Sequence, residues 1–134
     1  MSGFALLECQ KAIYSRLTGD STLNAIISGV YDRVPDNTAY PYVTIGNAQW
    51  RDWSTQSRQG SEIHLDVHAY SRKGGRKEAL DIMARVYALL HDGSLSVTGH
   101  HLVMMRCESA QVRQMEDGLS YAGEMNVRLL LIAA

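Results

Sequence analysis

Ile63-His64-Leu65-Asp66-Val67-His68-Ala69-Tyr70 alternates apolar and polar side chains without a break. Successive residues of a strand point to opposite faces, so Ile63, Leu65, Val67 and Ala69 share one face and His64, Asp66, His68 and Tyr70 share the other. Downstream, Ser71-Arg72-Lys73-Gly74-Gly75 breaks the strand, and Arg76 to His91 follows as a long helix that Asp92-Gly93 stops. Its polar stripe is Glu78, Asp81 and Arg85. Apolar residues fill most of the remaining circumference, so this helix is expected to be covered on more than one side.

Upstream, Leu6, Cys9, Ile13 and Leu17 recur at helical spacing, which predicts an amphipathic helix from Phe4 to Leu17. Asp20 and Ser21 can cap a short second turn running to Ile27, closed by Ser28-Gly29. Val30 to Val34 and Tyr42 to Ile45 read as strands, separated by a loop from Pro35 to Pro41. Both prolines sit at strand margins, where no ladder donor is required. Gly46 to Gly60 is polar yet holds both tryptophans, Trp50 and Trp53, and reads as a strand extension ending in a mobile loop.

Near the C-terminus, Asp117-Gly118 separates two alternating runs, His101 to Met115 and Leu119 to Ala133, and is a hairpin signal of type I′. A two-residue loop would place Gln111 beside Glu124, Ser109 beside Asn126 and Arg113 beside Ala122. It would also place Met105 against Leu130 and Val103 against Ile132 on one face, with Met104 against Leu131 and Leu102 against Ala133 on the other. The base of the hairpin then reads as apolar on both faces. The expected fold is α+β, a mainly antiparallel twisted sheet with two long helices packed on one face and a long C-terminal hairpin, in one domain over residues 1–134. Helices cover only one side of such a sheet, so an apolar second face predicts contact with a neighbouring subunit.

The composition excludes several classes of function. A length of 134 residues suits one domain, and 46% hydrophobic with 20% charged residues is ordinary for a folded soluble protein. A net charge of -1 and a pI near 6.5 carry no electrostatic footprint for a phosphate backbone, so sequence-specific nucleic-acid binding is not expected. The first residues, Met1-Ser2-Gly3-Phe4-Ala5-Leu6-Leu7, lack a basic segment, and Glu8 and Lys11 interrupt the apolar run, so no secretion signal is expected. The apolar run from Leu129 to Ala134 is far short of the roughly 20 residues that span a bilayer, and no membrane contact is expected. Cys9 and Cys107 belong to no metal-ligand or redox spacing and read as reduced, partly buried thiols of a cytosolic product.

No nucleophile-elbow, zinc-protease or Cys-His signature occurs, so no catalytic residue and no cofactor is assigned. The turn Ser71 to Arg76 lacks the Lys-Ser/Thr pair of a P-loop and reads as a solvated basic turn. His64, Asp66 and His68 form a row that can bind zinc only with ligands from a second element, for which His100 and His101 are the candidates. A polar interfacial face is the simpler reading, and no metal site is assigned. Trp50 and Trp53, with Arg51, Asp52 and Arg58, read either as anchors for a docking partner or as residues that complete the core. As anchors they predict a protease-sensitive loop in the free protein. The subunit-interface candidates are Leu102, Met104, Leu129, Leu131, His64 and His68.

Local signatures along the chain resemble those of the tail completion proteins of long-tailed bacteriophages and gene transfer agents. They are Lys11-Ala12-Ile13-Tyr14-Ser15-Arg16-Leu17, then Tyr31-Asp32-Arg33-Val34-Pro35, Pro41-Tyr42-Val43, Asp52-Trp53-Ser54-Thr55, His68-Ala69-Tyr70-Ser71 with its Gly-Gly turn, and Leu89-Leu90-His91-Asp92. The resemblance implies a structural virion protein, a tail terminator or head–tail joining subunit with no catalytic residues. It implies partners in further copies of the same chain, as a ring usually of six, in the tail tube protein and in head-side connector proteins. The implied location is the head-proximal end of the virion tail, after assembly in the bacterial cytoplasm. A head-side adaptor, or a small metal- or ligand-binding domain, is the alternative.

Overall fold

The structure, a computed structural model, describes residues 4–134; Met1, Ser2 and Gly3 of the N-terminal segment lie outside them. Helix α1 spans Leu6–Thr18, α2 Ser21–Asn24 and α3 Lys77–Leu90, and the strands are β1 Val30–Tyr31, β2 Tyr42–Asp52, β3 Gly60–Ser71, β4 His100–Gln114 and β5 Tyr121–Ala133. The strands form one sheet in the order β1-β2-β3-β5-β4. β1 runs parallel to β2 and every other pair is antiparallel, giving a mixed sheet in an α+β fold. The strand expected over residues 30–34 shortens to two residues, Val30 and Tyr31, opposite Val43 and Thr44. No described helix is long and apolar enough to cross a membrane.

All three helices lie against one side of the sheet. α1 buries Cys9, Ile13 and Leu17, one stripe at helical spacing, and α3 buries Ile82, Val86, Leu89 and Leu90 among others. They meet the odd-numbered residues of β3 and β5, so that Ile63, Leu65, Val127, Leu129 and Leu131 are sealed from solvent. Each such large aliphatic side chain contributes roughly 1.5–3 kcal/mol of burial. Asp20 caps α2 by accepting from Leu23 N at 2.8 Å, and Arg85 of α3 donates twice to the same carboxylate, at 2.9 and 2.7 Å. These bonds hold the Asp20 carboxyl down at about 2, with Arg85 the leading cause. The helices number 13 and 14 residues, with the short α2 completing the layer. α3 buries one side only: Leu80 and Tyr87, expected to be covered, are 50% and 45% exposed on the outer surface.

The C-terminal hairpin keeps the expected register near its turn, with Gln111, Ser109 and Arg113 opposite Glu124, Asn126 and Ala122. The turn itself differs from type I′. Gly118 N donates to Met115 O at 3.1 Å and Met115 N to Ser120 O at 2.8 Å, and Gly118 has a positive φ of 70° while Asp117 does not. The Asp117 carboxylate accepts from Leu119 N, Ser120 N and Ser120 Oγ, which holds it at about 2, the Ser120 hydroxyl being the largest cause.

Farther from the turn the register departs from the two-residue-loop expectation. β4 is bulged between Cys107 and Ser109 and again between Leu102 and Met104, so Met105 lies opposite Leu129 and Leu102 opposite Leu131. Each bulge inserts one residue and flips the faces beyond it. Leu129 and Leu131 are therefore core residues at 0% exposure on the helix-facing side, and they do not form the second face on which they were placed. Burial raises Cys9 to about 12 and Cys107 to about 11, so both thiols stay protonated near neutral pH.

Candidate assembly surface

Among the described residues no helix or strand covers the side of the sheet away from the helices. Its middle is a row of polar side chains supplied by alternate residues of β3 and β5, and these pair across strands. Arg128 Nε donates to Glu62 Oε2 at 2.9 Å, and His64 Nε2 stands 3.2 Å from the same oxygen. His64 Nδ1 lies 3.3 Å from Asn126 Oδ1, while Asn126 Nδ2 donates to Asp66 Oδ1 at 3.0 Å. Glu108 of β4 completes the group, with its carboxylate 4.0 Å from both Arg128 and His64. Arg128 first and His64 second hold the Glu62 carboxyl below its ordinary value. Toward the far end Glu124 accepts from Gln111 and Arg113, which lowers it too.

His68 belongs to a separate group, its Nδ1 3.1 Å from the Tyr70 hydroxyl. Tyr40, Tyr42 and Tyr70 pack in series with ring centroids 5.1 and 5.3 Å apart, and Arg72 lies 4.5 Å over the Tyr40 ring. Burial, followed by the Tyr40 hydroxyl, pushes Tyr42 up to about 12. Among the described residues no three His, Cys, Asp or Glu side chains converge as a metal site. His100 and His101 stand at the start of β4, opposite Ala133 and Ile132. The row at His64, Asp66 and His68 is thus a hydrogen-bonded polar face. Apolar contact is confined to its margin, where Met104 is half-buried opposite the largely buried Leu130.

The five residues of the tryptophan segment fall into two settings. Trp50 is half-buried on the helix side, its indole N–H donating to Ser61 Oγ at 2.8 Å and its ring 5.4 Å from Phe4. Arg51, Asp52 and Arg58 are exposed, and Trp53 is 40% exposed at the head of the tip joining β2 to β3. The strand extension is real, reaching Asp52 after a bulge between Ile45 and Ala48. Instead of an open loop, the tip is tied by its own hydrogen bonds: Thr55 N to Arg58 O at 2.8 Å, Ser54 Oγ to Asp52 at 2.6 Å and Gly60 N to Ser54 Oγ at 3.0 Å. The polar row is the surface that sequence reasoning left half-seen. Alternation in Glu124, Asn126 and Arg128 signals an outward face, but their partners on β3 follow only from the strand order.

A small α+β subunit with one helix-covered and one open sheet face, an outer row of mutually bonded polar side chains and an exposed aromatic tip has the form of an assembly subunit. The chain belongs to the tail completion protein gp17 family, whose profile matches residues 11–132. It is 32% identical over 124 residues to tail completion protein gp17 of Bacillus phage SPP1, covering 91% of this chain and 90% of that protein. Its fold is shared by a chain in the virion of a native gene transfer agent particle, with a TM-score of 0.86 and 23% identity over 98% of both chains.

Proposed function

We propose that the protein is a ring-forming tail terminator, which caps the tail tube and joins tail to head in a long-tailed phage, prophage or gene transfer agent. The observation that carries this reading is the family match across residues 11–132, which leaves out only the ends of the chain. Several copies, six in the expected ring, dock on the last ring of tube protein and offer no equivalent surface for the next, so growth stops by geometry. The opposite side of the ring receives the head-side connector. No bond is made or broken, in keeping with a surface whose charged groups are already paired.

The exposed tip with Trp53 is the natural anchor for the tube, because a half-exposed indole on a rigid hairpin gains apolar contact while losing little entropy on docking. An assay on the strain that makes the particle tests the reading. With this gene deleted, purified protein added to the lysate should join filled heads to free tails. Attachment to heads alone, with tails left open, would point to a head-side adaptor and overturn the terminator reading.

A further inference from the structure

We infer that copies of this chain join edge to edge, the outer edge of β4 in one copy pairing with the outer edge of β2 in the next, so that their sheets run on as one. The inference rests on the ring reading above and names the surface that builds the ring.

Each outer edge is covered over part of its length and open over the rest. On β2, β1 covers Val43 and Thr44, and among the described residues no strand lies beside residues 46–52. On β4 the segment after α3 covers the middle, where Asp92 N donates to Met105 O at 2.9 Å and Cys107 N donates to His91 Nδ1 at 3.1 Å. Among the described residues no strand lies on the outer side of residues 109–114. Neither open stretch contains a lysine or a proline, the residues that most often blunt an exposed edge.

Backbone direction agrees with pairing between the two. In an antiparallel ladder, residues turn their N–H and C=O alternately inward and outward. Met115 N donates inward to Ser120 O at 2.8 Å, so Val112, three residues back, turns outward. Trp53 N donates inward to Gly60 O at 3.0 Å, so Trp50 turns outward as well. Val112 on β4, and Trp50 with the smaller Ala48 on β2, are the half-buried apolar residues of the open stretches, all packed against the core on the helix side, and Trp50 offers the largest apolar surface among them. Opposing them gives a hydrogen-bonded pair that joins a β-branched to an aromatic side chain. The same register sets Gln111 against Arg51 and Arg113 against Gln49, with no like charges meeting.

The offset between the edges is what a closed ring requires. Through Gly123 and Ala69, Val112 is level with Val43, so seating it against Trp50 displaces the neighbour about 20 Å along the strands. The four strands β2, β3, β5 and β4 span about 19 Å across. Copies at one height then have strands tilted about 45° to the ring axis, at the top of the range of roughly 35–45° for closed barrels. A two-fold pairing of β4 with β4 would leave the β2 edge open in both copies and close no ring.

Disulfide trapping in assembled particles tests the register. Arg51→Cys with Gln111→Cys should give covalent multimers on a non-reducing denaturing gel, because the non-hydrogen-bonded pair brings the Cα atoms to about 4.5 Å. The single variants, and Gln49→Cys with Gln111→Cys, should stay monomeric. Particles that hold several copies but give no multimer would overturn the edge pairing and leave the ring intact; a single copy per particle would overturn the ring. Independently, Val112→Pro removes an outward N–H that no internal ladder bond uses. It should leave folding and melting temperature near those of the parent while abolishing incorporation into particles. Normal incorporation of the folded Val112→Pro protein would overturn the proposal.

Discussion

Two glycines test how this fold distinguishes a crowded site that can yield from one that cannot. A Cβ at Gly60 would sit 2.5 Å from Trp53 O in the β2–β3 tip and 3.2 Å from Leu131 O in β5, both backbone atoms. Neither can move without opening the β2–β3 tip or the β3–β5 ladder, so Gly60→Ala should cost about 1–3 kcal/mol as an overpacking change. At Gly123 the Cβ meets the Met83 side chain even more closely, but a thioether end can change rotamer. Gly123→Ala should therefore cost less than about 1.5 kcal/mol. For a chain of this size each kcal/mol shifts the melting temperature by roughly 3 to 5 °C. Thermal unfolding followed by circular dichroism should show Gly60→Ala down by about 3 to 15 °C and Gly123→Ala by less. A Gly60→Ala protein as stable as the parent, or a reversed order, would refute the assignment of rigidity to the tip.

Leu129→Ala should cost about 2–5 kcal/mol, since the residue is fully buried between sheet and helices; an unchanged denaturant midpoint would contradict its place in the core. The carboxyls of Asp20 and Asp117, both held near 2, contribute stability that is complete above their unfolded value near 4 and lost as pH falls toward 2. Melting curves of Asp20→Asn with Asp117→Asn should accordingly be flatter than the parent's between pH 4 and pH 2, and an equally steep decline would assign acid sensitivity elsewhere. Trp53→Ala should leave the melting temperature nearly unchanged while lowering the yield of joined particles, and a normal yield would remove the tip from the docking surface.

Much of the fold was legible because β3 alternates without interruption and α1 carries one clean apolar stripe. The tip of the C-terminal hairpin was legible for the same reason, its polar cross-strand pairs all following from the position of Gly118. Its base was misread because a strict period of two was carried through two bulges. The residues of β4 on the helix side of the sheet, Leu102, Met105, Cys107, Ala110 and Val112, are spaced three, two, three and two apart, and each spacing of three marks a bulge. β2 carries the same mark between Ile45 and Ala48. The polar face was legible residue by residue, whereas its pairing of Glu62 with Arg128 depends on β5 lying beside β3, which local pattern does not specify. The exposed stripe of Leu80 and Tyr87 shows the converse limit, since apolar periodicity states what a helix can bury and not how much of it one chain will cover.

Electron microscopy of particles from a producing strain deleted for this gene tests the central claim most directly. Filled heads lying apart from unjoined tails, many of them overlong, are the predicted result. Normal joined particles with tails of uniform length would contradict it.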